Sequence, residues 1–381
     1  MTYMKLNFFP LSKGAIRKTI LFIHLWLGLI LGLYFTIIGI TGSVLVFHDN
    51  LEPLQTPEIV SVKPPTPSTK LLPLSELMTR VHYAFPNASG QDLTNVTMPD
   101  NVGGAYTLNL DVEKPEKMRM ITVNPYTGAV MRNVIFVETP FGFIHNLHVS
   151  LLLGAAGELA NGYGAICLAL LLLSGLWLWW PVTLRQLRAR LSMKIDKGKN
   201  RIVRDLHHVL GIYAVVFLLI ITLTGILFIF PKPVEKVTDA IATSSSKPPK
   251  VTAPVGAKKL SIDTLLAIAQ PVNPEVKISS FNDPSEPNQP FSCYKRSFAP
   301  GFFPYTRIFI NPYSGKILRV VDDNKGSLDK KIPRFLSMLH FGLWGSFFIK
   351  IIYALVGLVP CGLFITGVLM YLRKLRGFKK A

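Results

Sequence analysis

Charged side chains are scarce in this sequence. They make up 17% of its 381 residues, where a soluble domain usually carries about a quarter. Acidic residues are the scarcer sign, 22 Asp+Glu against 41 Lys+Arg, for a formal net charge of +19. Cysteine is nearly absent. Cys167 and Cys361 fall in apolar runs and Cys293 stands alone in a long loop, so no disulfide framework can staple a domain. Also missing are a G-x-G-x-x-G turn of the dinucleotide-binding kind and any nucleophile–base or acid–base arrangement in the loops. Those missing fingerprints leave any electron donor, cytoplasmic or in the membrane, unidentified by the sequence.

Apolar sequence fills the space left by charge. Hydrophobic residues reach 49%, and four stretches, at 20–47, 159–180, 207–230 and 351–372, each meet the roughly 20 residues that a bilayer span requires. The first follows Arg17 and Lys18 and is far longer than the apolar core of a signal peptide, so it reads as a retained anchor. The basic residues cluster at the N-terminus (1–19), in the loop 181–206 and at the C-terminus (373–381). All three lie on one side of the spans, which the positive-inside rule makes cytoplasmic. That distribution assigns the excess charge to anionic lipid head groups of the bilayer and argues against nucleic acid.

The sequence repeats itself. At an offset of 183 residues, His24, Gly28, Thr41, Gly42 and Glu52 fall on His207, Gly211, Thr224, Gly225 and Glu235. Around the second span the offset is 192, and His148, Leu151 and Gly175 meet His340, Leu343 and Gly367. In the loops it is 187, matching Ile121–Arg132 (ITVNPYTGAVMR) to Ile308–Arg319 (IFINPYSGKILR). Three matches in order describe a unit of span, outer domain and span that occurs twice. The expected fold is thus a membrane α-helical bundle of four main helices with two outer α+β domains, at 48–142 and 231–334. Each domain is followed by an outer-face interfacial helix, at 143–158 and 335–350. Within the domains, Leu74–Phe85 and Ile262–Ala269 read as helices. Tyr106–Val112, Met120–Val123, Phe291–Ser297 and Thr306–Ile310 read as strands. NPYTG and NPYSG read as turns leading into Ala129–Val134 and Lys316–Val321.

Histidine in a span is costly and is a functional hypothesis by default. His24 and His207 occupy matching places near the cytoplasmic face, and His148 and His340 matching places at the outer face. Repeats of like topology are related by an axis along the membrane normal, which sets His24 opposite His207 and His148 opposite His340. Two imidazoles from facing helices suit a b-type haem in an apolar slot, one per face and two in all. Gly28, Gly32, Gly39 and Gly42 would let a macrocycle approach the first span, although small residues also mediate plain helix packing. A zinc site, which wants four ligands, is the competitor. His145 and His148 at i, i+3 could share an ion, but Ser337 stands opposite His145 in the second copy. A proton relay and simple hydrogen bonding also remain open for these histidines. His48, whose partner is Pro231, and His208, beside His207, are secondary candidates. Glu158 and Lys350, at equivalent outer span ends, suit either haem propionate or substrate contacts, or an interfacial ion pair. Trp177, Trp179 and Trp180 before Pro181 read as an aromatic belt with a helix stop.

The segments IHLWLGLILGLYFTIIGITGSVLVF, LHVSLLLG with SGLWLWWP, and the NPYTG hairpin resemble the PepSY-associated transmembrane family, over nearly the whole chain. Within that family the sequence is similar to inner-membrane iron-uptake proteins that reduce ferric siderophores and bind two haems. The resemblance implies a Gram-negative inner membrane, periplasmic PepSY-like domains, haem ligation by His24, His148, His207 and His340, and iron release by reduction of a ferric siderophore. The other classes that the sequence admits are a non-catalytic protein that binds a periplasmic protease or partner chain, and a transporter of the intact chelate. The spans carry few polar residues to line a path and no broken-helix signature, which disfavours the transporter.

Overall fold

The computed structural model describes residues 13–84, 93–112, 114–181, 183–195, 198–242, 248–284, 286–296, 305–322, 327–343 and 346–378. The outermost terminal residues and Ser297, at the end of an expected strand, lie outside them. In chain order the helices are α1 (Lys13–Leu45), α2 (His48–Gln55), α3 (Leu74–Ala84), α4 (Pro140–Ser150), α5 (Gly154–Trp179), α6 (Leu184–Arg190), α7 (Lys199–Ile229), α8 (Lys232–Ile241), α9 (Ile262–Ala269), α10 (Leu328–Phe341) and α11 (Phe347–Phe378). The strands are β1 (Leu93–Thr97), β2 (Tyr106–Val112), β3 (Lys114–Val123), β4 (Val130–Ile135), β5 (Ile278–Asn282), β6 (Phe291–Arg296), β7 (Tyr305–Ile310) and β8 (Ile317–Asp322). The chain divides into a helical unit (residues 1–44, 148–230 and 348–381) and a sheet unit (45–147 and 231–347).

In the helical unit α1, α5, α7 and α11 are each long and apolar enough to cross a membrane. The helices begin and end beyond the apolar runs, because backbone hydrogen bonding continues through flanking polar residues. Hydroxyls inside them are satisfied locally: Thr36, Ser43, Thr224 and Thr366 each donate to a carbonyl four residues back. Close helix approach uses glycine. A Cβ at Gly39 would collide with the Gly357 carbonyl oxygen, and one at Gly162 with Ile229 and Phe230. Ser43 Oγ also donates to Ala354 O at 2.8 Å, tying α1 to α11. The first of the interfacial helices expected over 143–158 is divided. Leu151 and Leu152 take left-handed backbone, φ 53° and 62°, before Gly154 at 58°, a conformation costing about 1–3 kcal/mol per non-glycine residue. The second is divided as well, with α10 ending at Phe341 and Gly342 left-handed behind it.

The sheet unit holds both of the expected outer α+β portions. Its eight strands form one antiparallel sheet in the order β4-β3-β2-β1-β5-β6-β7-β8. The join is β1 to β5, with Val96 opposite Phe281 and Thr97 opposite Ser280. Asn95 Nδ2 donates to Asn282 Oδ1 at 3.0 Å across it, and these two residues are themselves 187 apart. Beneath the sheet α3 and α9 bury Leu74, Leu77, Leu265 and Ala269 against Val96, Leu108, Ile121, Phe281 and Ile308. The two NPY turns share their asparagine-centred bonds. Asn124 Oδ1 accepts from the amides of Tyr126 and Thr127, as Asn311 Oδ1 does from Tyr313 and Ser314. Gly128 and Gly315 take φ 72° and 71°, which only glycine adopts freely. Cys293 is fully buried in this core, and burial pushes its thiol up to about 12, so it is chemically quiet. Lys295 is buried too, its Nζ donating to Gln270 O and Asn273 O just past α9.

Two predictions follow from the joined sheet. Phe281→Ala removes a fully buried ring at the seam, at a cost of about 3–5 kcal/mol. Amide exchange should then accelerate in β2 and β6 alike; loss of protection in β5–β8 with β1–β4 untouched would mean that the halves fold independently. At the start of α3, Asp263 accepts from the amides of Leu74 and Ser75 and from Ser75 Oγ. Burial raises its carboxyl, but these bonds outweigh burial and hold it below the ordinary carboxylate value. A depressed folded-state pKa contributes stability that is present above the unfolded value and lost as pH falls through the folded one. Melting curves should show wild-type stability falling below about pH 4 and Asp263→Asn lacking that component; parallel pH profiles would contradict it.

Candidate functional site

The site is built from histidines that pack on glycines. His24, on α1, lays its ring on α5, where a Cβ at Gly175 would lie 2.9 Å from its Cε1. Its Nδ1 is 3.0 Å from Ser174 Oγ. His207, on α7, meets α11 in the same way, with Nδ1 2.8 Å from Thr366 Oγ1 and Gly367 beside Cε1. His148 meets α1, with Nδ1 3.0 Å from Thr41 Oγ1 and Cε1 against Gly42. Three rings thus share one seat, a hydroxyl residue followed by glycine. Thr224–Gly225 is a fourth such dipeptide, and Thr224 makes the same bonds to its own helix as Thr41.

The direction of these bonds follows from proton counting. Each hydroxyl has one hydrogen and donates it backward within its helix: Ser174 to Leu171 O, Thr366 to Gly362 O and Leu363 O, Thr41 to Ile37 O and Ile38 O. Toward the imidazole it can therefore only accept, so Nδ1 carries the proton. For His148 the Ile38 carbonyl, 3.1 Å from Nδ1, requires the same tautomer. Nε2 is left with its lone pair and is the nitrogen that can ligate a metal.

His24 and His207 face one another. Their ring centres are 6.5 Å apart and their planes stand at 83°. Both line a cavity of about 700 Å³, within the size range of small-molecule sites. Its walls are apolar, with Leu171, Leu172, Val215 and Phe364; Gly28 and Gly211 are loosely packed beside it, and Gly32 seats the Phe364 ring. Its charged residues are Arg17, Lys18, Arg190, Arg204 and Lys374, with no Asp or Glu. The first-span glycines thus divide their work: Gly28 and Gly32 line the cavity, Gly39 serves helix packing and Gly42 seats His148.

The remaining candidates fall elsewhere. His208 lines the same cavity, but His207 is the ring that faces His24. His340 lies near the end of α10 in the sheet unit, edge-on to Phe341. His48 and His145 are also in the sheet unit, against Phe141 and Phe136; His48 pairs with Asp49 and Glu52. Glu158 and Lys350 sit near the starts of α5 and α11, and neither lines the cavity. Among the described residues no three His, Cys, Asp or Glu side chains gather to hold a bare metal ion. Two contributors escaped the sequence reading. Asn161 Nδ2 donates to His148 O at 2.7 Å and Val149 O at 3.1 Å, while its Oδ1 accepts from Tyr34; it braces the left-handed break after His148. Trp179 is 9% exposed and lines the cavity, whereas Trp177 and Trp180 are exposed as a belt requires.

Four membrane-length helices enclosing an apolar, cation-rimmed cavity with opposed imidazoles define a multi-pass membrane protein with a cofactor-sized internal site. The chain belongs to the PepSY-associated transmembrane family: the family's model, described as the PepSY-associated TM region, matches residues 21–374. None of the curated proteins matches it.

If the hydroxyls fix the rings, haem added as a probe of imidazole ligation to the protein in detergent should bind the Ser174→Ala/Thr366→Val variant about 10–100-fold more weakly than wild type. Unchanged affinity would mean that other contacts hold the rings.

Proposed function

We propose that this protein is an inner-membrane electron conduit that carries two b-type haems and reduces ferric siderophore iron on the periplasmic side, releasing Fe²⁺ during iron uptake. The observation that supports it most is the opposition of His24 and His207 across an apolar cavity. A ligating histidine nitrogen lies about 2.0–2.1 Å from its metal, so two imidazoles that shared one iron would have ring centres roughly 6 Å apart. The separation of 6.5 Å fits that arrangement. A single zinc ion needs four ligands and no such volume, whereas a planar macrocycle needs both the apolar walls and the room beside the glycines. The residues present therefore fit a haem, which His24 and His207 would hold.

A haem held there supplies a one-electron Fe³⁺/Fe²⁺ couple. The chain's own groups supply the rest. Ser174 and Thr366 hold the Nδ1 protons and aim Nε2 inward. Leu172, Val215 and Phe364 exclude water. For the second haem the proposal takes His148 and His340 from the sequence repeat, and the seat of His148 on Thr41–Gly42 supports its part. The matched NPY turns and the Asn95–Asn282 contact support the reading of the chain as two copies of one unit, with the sheet unit as its periplasmic PepSY-like portion. Residues 231–334 carry 16 Lys/Arg against 9 Asp/Glu, which favours an anionic chelate, although Lys295 is spent inside the core. Reduction lowers the charge on the substrate iron, so anionic oxygen ligands hold it less strongly and the siderophore lets go.

Purified protein should show reduced b-type absorption bands at about two haems per chain. His24→Ala and His207→Ala should each remove one haem, and His148→Ala and His340→Ala each the other. A colourless protein from haem-replete cells would sink the proposal, and loss of both haems from every variant would contradict the pairing.

A further inference from the structure

We propose that the cation-rimmed end of the helical-unit cavity is a carboxylate-binding subsite, in which the indole N–H of Trp179 and the guanidinium of Arg204 take the carboxylate substituents of the haem. It rests on the reading of the cavity as a haem site and adds which residues set the haem's direction in it. The observation that carries it is an orphaned donor. Trp179 is 91% removed from solvent, lines the cavity, and its Nε1–H is buried with no acceptor among the described residues. Buried indole N–H groups normally find a partner. An acceptor supplied by a cavity ligand answers that need.

The charge distribution agrees. Five cations and no acid are among the residues that line the cavity, a positive field that favours an anionic ligand. The cations lie at the end where Trp179 lies. Arg17 Nη2 donates to Leu178 O at 3.3 Å, bringing the start of α1 to the end of α5. Arg190 Nη1 donates to the carbonyls of Trp179 and Trp180, so it caps α5 and holds the indole in place. Arg204 lies three residues before His207, on the same face of α7. Its neighbour Arg201 is already committed to Asp205, whereas Arg204 is among the residues that line the cavity. The apolar body of the ligand thus meets the imidazoles and glycines, and its anionic edge meets Trp179 and Arg204.

The test uses full-length apo-protein in detergent, titrated with haem and with its dimethyl ester, which keeps the macrocycle and iron but loses both negative charges. Wild type should bind haem at least about tenfold more tightly than the diester, a factor expected for a hydrogen bond to a charged group. Trp179→Phe, which keeps the packing, and Arg204→Gln should each narrow that gap, with a bis-histidine spectrum retained. If wild type binds both compounds alike with that spectrum, the subsite is wrong and the haem reading stands; a lipid phosphate as the natural occupant would give this result. An undiminished gap in both variants would also overturn the subsite. Wild type that binds neither compound would overturn the subsite and the haem reading together.

Discussion

An imidazole inside an apolar helix bundle has two nitrogens to satisfy and almost no polar neighbours to do it. The helical unit resolves this with hydroxyls that are themselves satisfied by their own backbone. A serine or threonine that bonds back to the preceding turn has only its lone pairs left, so it accepts the Nδ1 proton and leaves Nε2 bare. The glycine that follows removes the Cβ that the ring would otherwise strike. These requirements together determine where α1 meets α5, where α7 meets α11 and where His148 meets α1. The cavity follows from them: two bare nitrogens point into a space that the flanking glycines keep open and leucines and phenylalanines keep dry.

The sheet unit depends on a different constraint, the cost of an unpaired sheet edge. A four-stranded sheet with a short polar outer strand such as β1 or β5 leaves backbone groups for another strand to bind. Pairing β1 with β5 covers both edges at once and makes one core under α3 and α9. The Asn95–Asn282 bond sits at that seam, between residues at corresponding places in the two halves.

Much of this was legible in the sequence. The four spans stood out because lipid demands about 20 apolar residues regardless of what they pack against. The NPY turns were legible because Asn, Pro and Gly each act locally. His24 and His207 could be paired because the repeat offset matched them and a like-oriented repeat sets them opposite each other. The strands β1 (LTNVT) and β5 (ISSFN) were missed, since each is five residues long, half polar, and paired along one edge with a strand more than 180 residues away. The Ser/Thr–Gly dipeptides were visible as repeat matches, yet their role was hidden because the hydroxyl and its histidine lie on different helices. Trp179 looked like its neighbours in the belt; only burial and the lack of an acceptor set it apart.

The central claim is that electrons cross the membrane through this chain to ferric iron on the far side. The most direct measurement places the purified protein in sealed liposomes with a reductant inside and a ferric siderophore with a colorimetric Fe²⁺ chelator outside. The account predicts Fe²⁺ outside at a rate that depends on the protein and falls to the level of empty liposomes when His24 or His207 is alanine. External Fe²⁺ forming equally fast with wild type and with both alanine variants would contradict it.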